Sequence, residues 1–267
     1  MACAYCKLPK SPTREHVVPD WIYEAKPEWT MIWLGRVGKL VGADPTPKDT
    51  CEDCNSGPLS VLDSYSKALW DKYLSKNVAS NDIVEFEYDF DLLARWLLKV
   101  GYNAARANGS PDTLALSLLT PYILGEGFRP VGLAVLIRVI APCKAPLHSI
   151  RQEMMPDVLR IDDLTETIGN TELCVCRRVV IMSYEFWVVV PNSLDAKINM
   201  SREVTSGNHI ALRDNTVALS RSLGKVRLRP SSATVIDVMG QFVATHPNLA
   251  NSIPERKGKK SKRKSKR

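Results

Sequence analysis

The chain has 267 residues, 45% of them hydrophobic and 24% charged. That balance suits a soluble protein with a sizeable core and excludes a fibrous or low-complexity chain. The net charge of +7 points to nucleic acid until it is located: nine of the 36 Lys and Arg lie in residues 256–267, and the remaining 27 face 29 acids. No apolar run approaches the ~18 residues of a membrane helix, and the start of the chain has no basic stretch leading into an apolar one. The sequence therefore predicts a cytoplasmic protein with no membrane partner. An odd count of seven cysteines favours reduced thiols and metal over disulfides.

In chain order, Cys3-Ala4-Tyr5-Cys6 comes first and Cys51-Glu52-Asp53-Cys54 repeats its spacing. Two residues between cysteines let one tight turn aim both sulfurs at one ion, and four thiolates complete a tetrahedral zinc shell. Between the pairs, residues 11–18 are predicted as an extended strand carrying Glu15-His16 and stopped by Pro19. Residues 21–41, rich in Trp and Val, read as a loop and a second short strand or equally as an aromatic plug for the finger. Leu59, Leu62, Tyr65, Leu69 and Tyr73 recur at helical spacing, which predicts a helix running on from the second cysteine pair.

Residues 83–88 alternate as a short strand. Asp91 is expected to cap a helix whose apolar stripe is Leu92, Leu93, Trp96, Leu97 and Val100, with Asn108-Gly109 ending it. Trp96 reads as core, and Lys99 and Arg106 as a solvated face. Ser110-Pro111-Asp112 begins a further helix, to about Leu124. The β-branched runs 131–141, 173–182 and 186–190 then predict a mostly antiparallel sheet. Residues 183–185 are expected to close a hairpin, and Arg138, Arg177 and Arg178 to lie on a solvated face. Cys174 and Cys176 read as core thiols, and His148, His209 and His246 as structural or surface histidines. Residues 210–229 are less regular, 233–243 form a short terminal element, and from Arg256 onward only Lys, Arg, Ser and Gly occur. Residues 254–267 are therefore predicted to be a disordered basic tail.

The chemistry implied lies between the cysteine pairs. Phosphodiester cleavage needs a base for the attacking water and a cation at the scissile phosphate. An imidazole titrating near neutrality suits the first role, which falls to His16. A carboxylate and an amide oxygen suit Mg²⁺ or Mn²⁺, which assigns Glu15 and Asn55 to the second. Neighbours on a strand point to opposite faces, so a bend or bulge is needed for Glu15 and His16 to serve one site. Zinc held by Cys3, Cys6, Cys51 and Cys54 has no open position and is structural. Two kinds of metal with two roles follow.

Glu15-His16-Val17-Val18-Pro19 between two cysteine pairs, with Asn55 directly after the second, resembles the HNH endonucleases over residues 3 to about 65. The resemblance implies an acid that ligates metal, a histidine that acts as general base, and a final ligand at the start of the helix. No Asn or His occurs from Val17 to Cys54, where many members carry the residue that orients the base. Asp44, Asp49 or Thr50 is left for that role. The fold expected is α+β: a zinc-braced ββα-metal, treble-clef-like nuclease finger at 1–75, then an α+β part at 76–253 with a helical segment and a mostly antiparallel sheet.

The function expected is metal-dependent hydrolysis of a nucleic-acid backbone, DNA rather than RNA, in a phage or bacterial defence setting. Arg14 and the tail residues Lys259, Lys260, Lys262, Arg263 and Lys264 are the candidate phosphate-binding groups, and residues 83–255 offer a surface for a protein partner. The alternative is a non-catalytic nucleic-acid-binding or adaptor protein that uses the finger as scaffold.

Overall fold

The computed structural model describes residues 1–29, 32–34, 39–41, 45–144, 153–154, 156–168, 171–191, 215–234 and 237. The three motif-free histidines and the basic tail lie outside these residues, as does Asp44.

The first strand is shorter than its sequence suggests. Only Pro12–Thr13 (β1) pairs in regular fashion, antiparallel to Thr50–Cys51 (β4), and the chain beyond Thr13 leaves the ladder. Prolines on the opposing segment account for this: Glu15 N–H bonds the carbonyl of Pro47 at 3.0 Å and Val17 N–H that of Pro45 at 3.3 Å. Pro45 and Pro47 have no N–H to return, so the pairing runs one way. Helix α1 (Asp20–Ala25) follows Pro19, and Ile32–Leu34 (β2) pairs with Lys39–Val41 (β3) as a separate hairpin. The expected loop and short strand at 21–41 are thus a helix and a two-stranded ribbon.

The second cysteine pair leads into helix. Glu52–Cys54 (α2) continues through a widened turn at Asn55–Leu59, where Gly57 and Pro58 break the helical geometry, into Ser60–Leu69 (α3) and a last turn to Leu74. Leu59, Leu62, Leu69 and Tyr73 face the core as their spacing predicts. After Val84–Glu87 (β5) comes the long helix α4 (Phe90–Asn108). Its cap is Asp89, two residues before the expected one, whose carboxylate accepts the N–H of Leu92 at 2.9 Å. Gly109, in the left-handed region at φ 61°, closes it. The next segment is two short helices, α5 (Thr113–Ser117) and α6 (Thr120–Leu124), rather than one.

The second half is the predicted sheet. Ala134–Ala141 (β6) lies next to Tyr184–Pro191 (β11), which pairs with Thr171–Ile181 (β10), and that with Leu159–Ile168 (β9), all antiparallel. The short strands Cys143–Lys144 (β7) and Glu153–Met154 (β8) pair with each other, between β6 and β9 in the chain. On the other side of β6 lie Val217–Ala218 (β12), antiparallel, and Pro230–Thr234 (β14), parallel, while Lys225–Leu228 (β13) pairs with β5. The β10–β11 hairpin turns at Met182-Ser183, one residue earlier than expected. Met182 takes φ 52°, and Ser183 Oγ pins the turn by accepting the N–H of Val78 at 3.0 Å.

Strand β11 is buried from Tyr184 to Val190, so both faces of the sheet are covered there. The unbroken run Phe-Trp-Val-Val-Val carries that information, because a strand with one wet face would alternate. The expected solvated arginines are accordingly inside. Glu185, fully buried, accepts from Arg138 at 2.5 Å and faces Arg178 at 3.4 Å, and Arg138 stacks over Trp187. Arg177 crosses α4 at Gly101, where a Cβ would sit 2.9 Å from its Cγ, and ion-pairs with Asp112. Removing one partner of such a pair strands the other charge, so Arg177→Met is expected to lower stability by about 3–5 kcal/mol. A urea midpoint equal to the parent's would show that the pair contributes nothing net.

One continuous apolar cluster runs from Cys3 through Leu59, Trp96 and Val135 to Leu228, so the segment with the cysteine pairs, α4 and the sheet share a core.

Candidate metal centre and the dyad beside it

The first knuckle is a tight turn in which Cys3 N–H bonds the carbonyl of Leu8 at 2.9 Å and Lys7 N–H that of Cys3 at 3.0 Å. Cys51 ends β4 and Cys54 ends α2, and the β1–β4 pairing brings this corner against the first knuckle. All four Sγ atoms lie within 4.8 Å of one another; Cys3 is 3.9 Å from Cys54, and Cys6 is 3.7 Å from Cys51. Zn–S bonds of about 2.3 Å put the sulfurs of a tetrahedral shell about 3.8 Å apart, so the four thiols fit zinc.

Their electrostatics point the same way. Burial works against the Cys3 thiolate, yet the backbone amides of Cys51, Cys6 and Tyr5 bring its pKa down to about 7. Burial and the neighbouring thiols push Cys54 well up, and burial raises Cys51. Four packed sulfurs cannot all ionise without a cation, and a bound dication removes that conflict.

The corner that carries Cys51 and Cys54 positions Asn55. Its Nδ2 donates to Thr13 Oγ1 at 3.0 Å and to the carbonyl of Arg14 at 2.9 Å, while Thr13 Oγ1 donates to the carbonyl of Thr50 at 2.8 Å. The amide therefore clasps the residues immediately before Glu15-His16. The N–H groups of Glu15 and Val17 bond across at alternate residues, as in an extended segment, so the dyad's neighbouring side chains leave on opposite sides. His16 is half-buried and Arg14 exposed.

Glu15 points inward. It is only 2% exposed, and its Oε1 lies 2.7 Å from Lys99 Nζ and 3.4 Å from Asn103 Nδ2. Lys99, 0% exposed at the middle of α4, also reaches Asp63 of α3 at 2.5 Å. Burial raises the Glu15 carboxyl against the pull of Lys99. Burial likewise raises that of Asp63, against the opposing pull of Lys99.

One helical turn on, Asn103 donates to the carbonyl of His16 at 2.8 Å and accepts from Tyr5 Oη at 2.6 Å. Arg106 bonds Asp49 and stacks on the rings of Tyr5 and Tyr102. The expected solvated face of α4 at Lys99 and Arg106 is thus its interface with the segment between the cysteine pairs. Of the residues considered for orienting His16, Asp49 is engaged by Arg106, and Thr50 is buried with its hydroxyl unpaired among the described residues.

The second ion fits this arrangement less well than the first. Asn55 is only half-buried, but the Glu15 carboxylate is enclosed and already bonded to an ammonium. Asp63, Lys99 and Asn103 carry no motif, and their relevance appears only once α4 is seen lying across the finger.

No family model, curated protein or solved structure matches the chain. Among the described residues, no helix is long and apolar enough to cross a membrane.

Proposed function

We propose that the chain is a metal-dependent endonuclease of the HNH type, hydrolysing nucleic-acid phosphodiesters, DNA rather than RNA. The observation that carries this reading is the clasp of Asn55, fixed directly after the zinc ligand Cys54, on the segment that presents Glu15 and His16. His16 is the proton acceptor for the attacking water, and its backbone is held by Asn103. Asn55 and Glu15 are the oxygen donors assigned to a divalent ion, Glu15 on condition that Lys99 releases it. Such an ion, when bound, neutralises charge on the scissile phosphate and its leaving oxygen.

Incubating the zinc-loaded full chain with supercoiled plasmid and with RNA, with Mg²⁺ or Mn²⁺ and with excess EDTA, tests the reading. Cleavage that needs the divalent ion supports it, and intact substrates under every condition leave the binding-module reading in its place. That second reading has one observation in its favour, the commitment of Glu15 to Lys99.

Residues 256–267 hold nine cations and none of the proposed catalytic groups. Deleting them is expected to weaken DNA binding and flatten its salt dependence while turnover persists. The slope of log affinity against log salt should fall by about 0.9 for each phosphate that the tail no longer neutralises. An unchanged slope assigns the tail a role away from the substrate.

A further inference from the structure

Asn103, 0% exposed in the last third of α4, has every hydrogen-bonding position of its side-chain amide filled. Its Nδ2 donates to the His16 carbonyl at 2.8 Å and to Glu15 Oε1 at 3.4 Å, and its Oδ1 accepts from Tyr5 Oη at 2.6 Å and from Arg106 Nη2 at 2.5 Å. An amide has two N–H donors and an oxygen with two lone pairs, so the group cannot turn over without breaking all four bonds. Its donor side faces the dyad and its acceptor side faces the cysteine pairs. Tyr5 stands between Cys3 and Cys6, and Arg106 continues to Asp49, two residues before Cys51. The carbonyl of Asp49 in turn accepts the N–H of Ala4 at 2.7 Å, which ties the two cysteine pairs together on that side.

Zinc on the four sulfurs would fix the turn that carries Tyr5, because both ends of that turn are ligands. Tyr5 is 2% exposed, so drawing its hydroxyl away from Asn103 strands two buried polar groups and does not pass them to water. On the dyad the same amide holds the His16 carbonyl, between the N–H groups of Glu15 and Val17 that bond Pro47 and Pro45.

We propose that Asn103 is a positioning residue that couples the four-cysteine centre to the dyad. Zinc binding orders the backbone of Glu15 and His16, and order at the dyad tightens zinc by the same factor, since such coupling is reciprocal. The positioning role rests on the proposed hydrolytic site; the coupling itself needs no cleavage.

The test compares the zinc-loaded full chain with Tyr5→Phe, which keeps the ring beneath Arg106 and removes only the hydroxyl, and with Asn103→Leu. Zinc affinity is measured by competition with a chelator, and dyad order by hydrogen exchange at the Glu15 and Val17 amides. Tyr5→Phe is expected to weaken zinc and to speed both amides by about two- to tenfold, the worth of one hydrogen bond, with exchange in β11 at the parent's rate. Asn103→Leu is expected to do at least as much, and the double variant to lose no more zinc affinity than Asn103→Leu alone, since both changes break one bond.

Unchanged zinc affinity or unchanged dyad exchange in Tyr5→Phe overturns the proposal. Additive losses in the double variant overturn it too, as does exchange that quickens in β11 as much as at the dyad. If Asn103→Leu fails to fold, Tyr5→Phe decides alone. A chain that shows the coupling and cuts neither DNA nor RNA rejects the hydrolytic reading alone, and one that cuts without the coupling rejects the coupling alone.

Discussion

Stripping zinc from the folded protein is expected to collapse the finger and to destabilise the rest of the chain with it. Structural zinc contributes about 10–16 kcal/mol of apparent binding energy at neutral pH, as much as the whole folding stability of a typical domain. Here Cys3, Cys51 and Cys54 lie in the same apolar cluster as α4 and the sheet, and Tyr5 is tied to Asn103 of α4. Metal analysis should find one zinc per chain, and Cys54→Ser should reproduce the effect of a strong chelator on the melting temperature.

The pH dependence has a definite sign. The zinc-free thiols take up protons that the zinc-bound thiolates have lost, so the zinc-loaded state binds fewer protons and gains stability as pH rises. With Cys3 lowered to about 7 and Cys51 and Cys54 raised, protons compete for the site through neutrality and below. The melting gap between loaded and stripped protein should therefore narrow steadily from pH 8 to pH 5. Loaded and stripped proteins that melt together at pH 8 would sink the structural role of the metal.

The four-cysteine cluster that could hold zinc is legible in the sequence because its signal is local: a two-residue spacing is a property of one turn, and repeating it names all four thiols. The helices and strands follow from periodicity, and Trp96 lies in the core as its helical spacing implies. What the sequence hides depends on the second layer. Lys99, Arg106, Arg177 and Arg178 read as solvated because charge on a helix or strand usually faces water. Here α4 has the finger on one side and the sheet on the other, so its polar residues become the bonds between them. Glu15 and Asp63 are distant from Lys99 in the chain, and nothing in their spacing announces that the three meet. The unbroken apolar run in β11 is the one available hint that the arginines on its neighbour are enclosed.

The catalytic and scaffold readings part most cleanly at His16. A general base typically contributes about 10²- to 10⁴-fold to rate, so His16→Ala should lower the cleavage rate by that factor. Zinc content and folding should stay near the parent's, because Asn103 holds His16 through its backbone carbonyl and that bond survives truncation of the side chain. Nucleic-acid affinity should also persist, since the cations of the tail are untouched. Added Mn²⁺ should not restore the rate, because the missing part is a proton acceptor and not a ligand. A His16→Ala protein that cuts as fast as the parent would remove the imidazole from the chemistry and leave the finger as a binding scaffold.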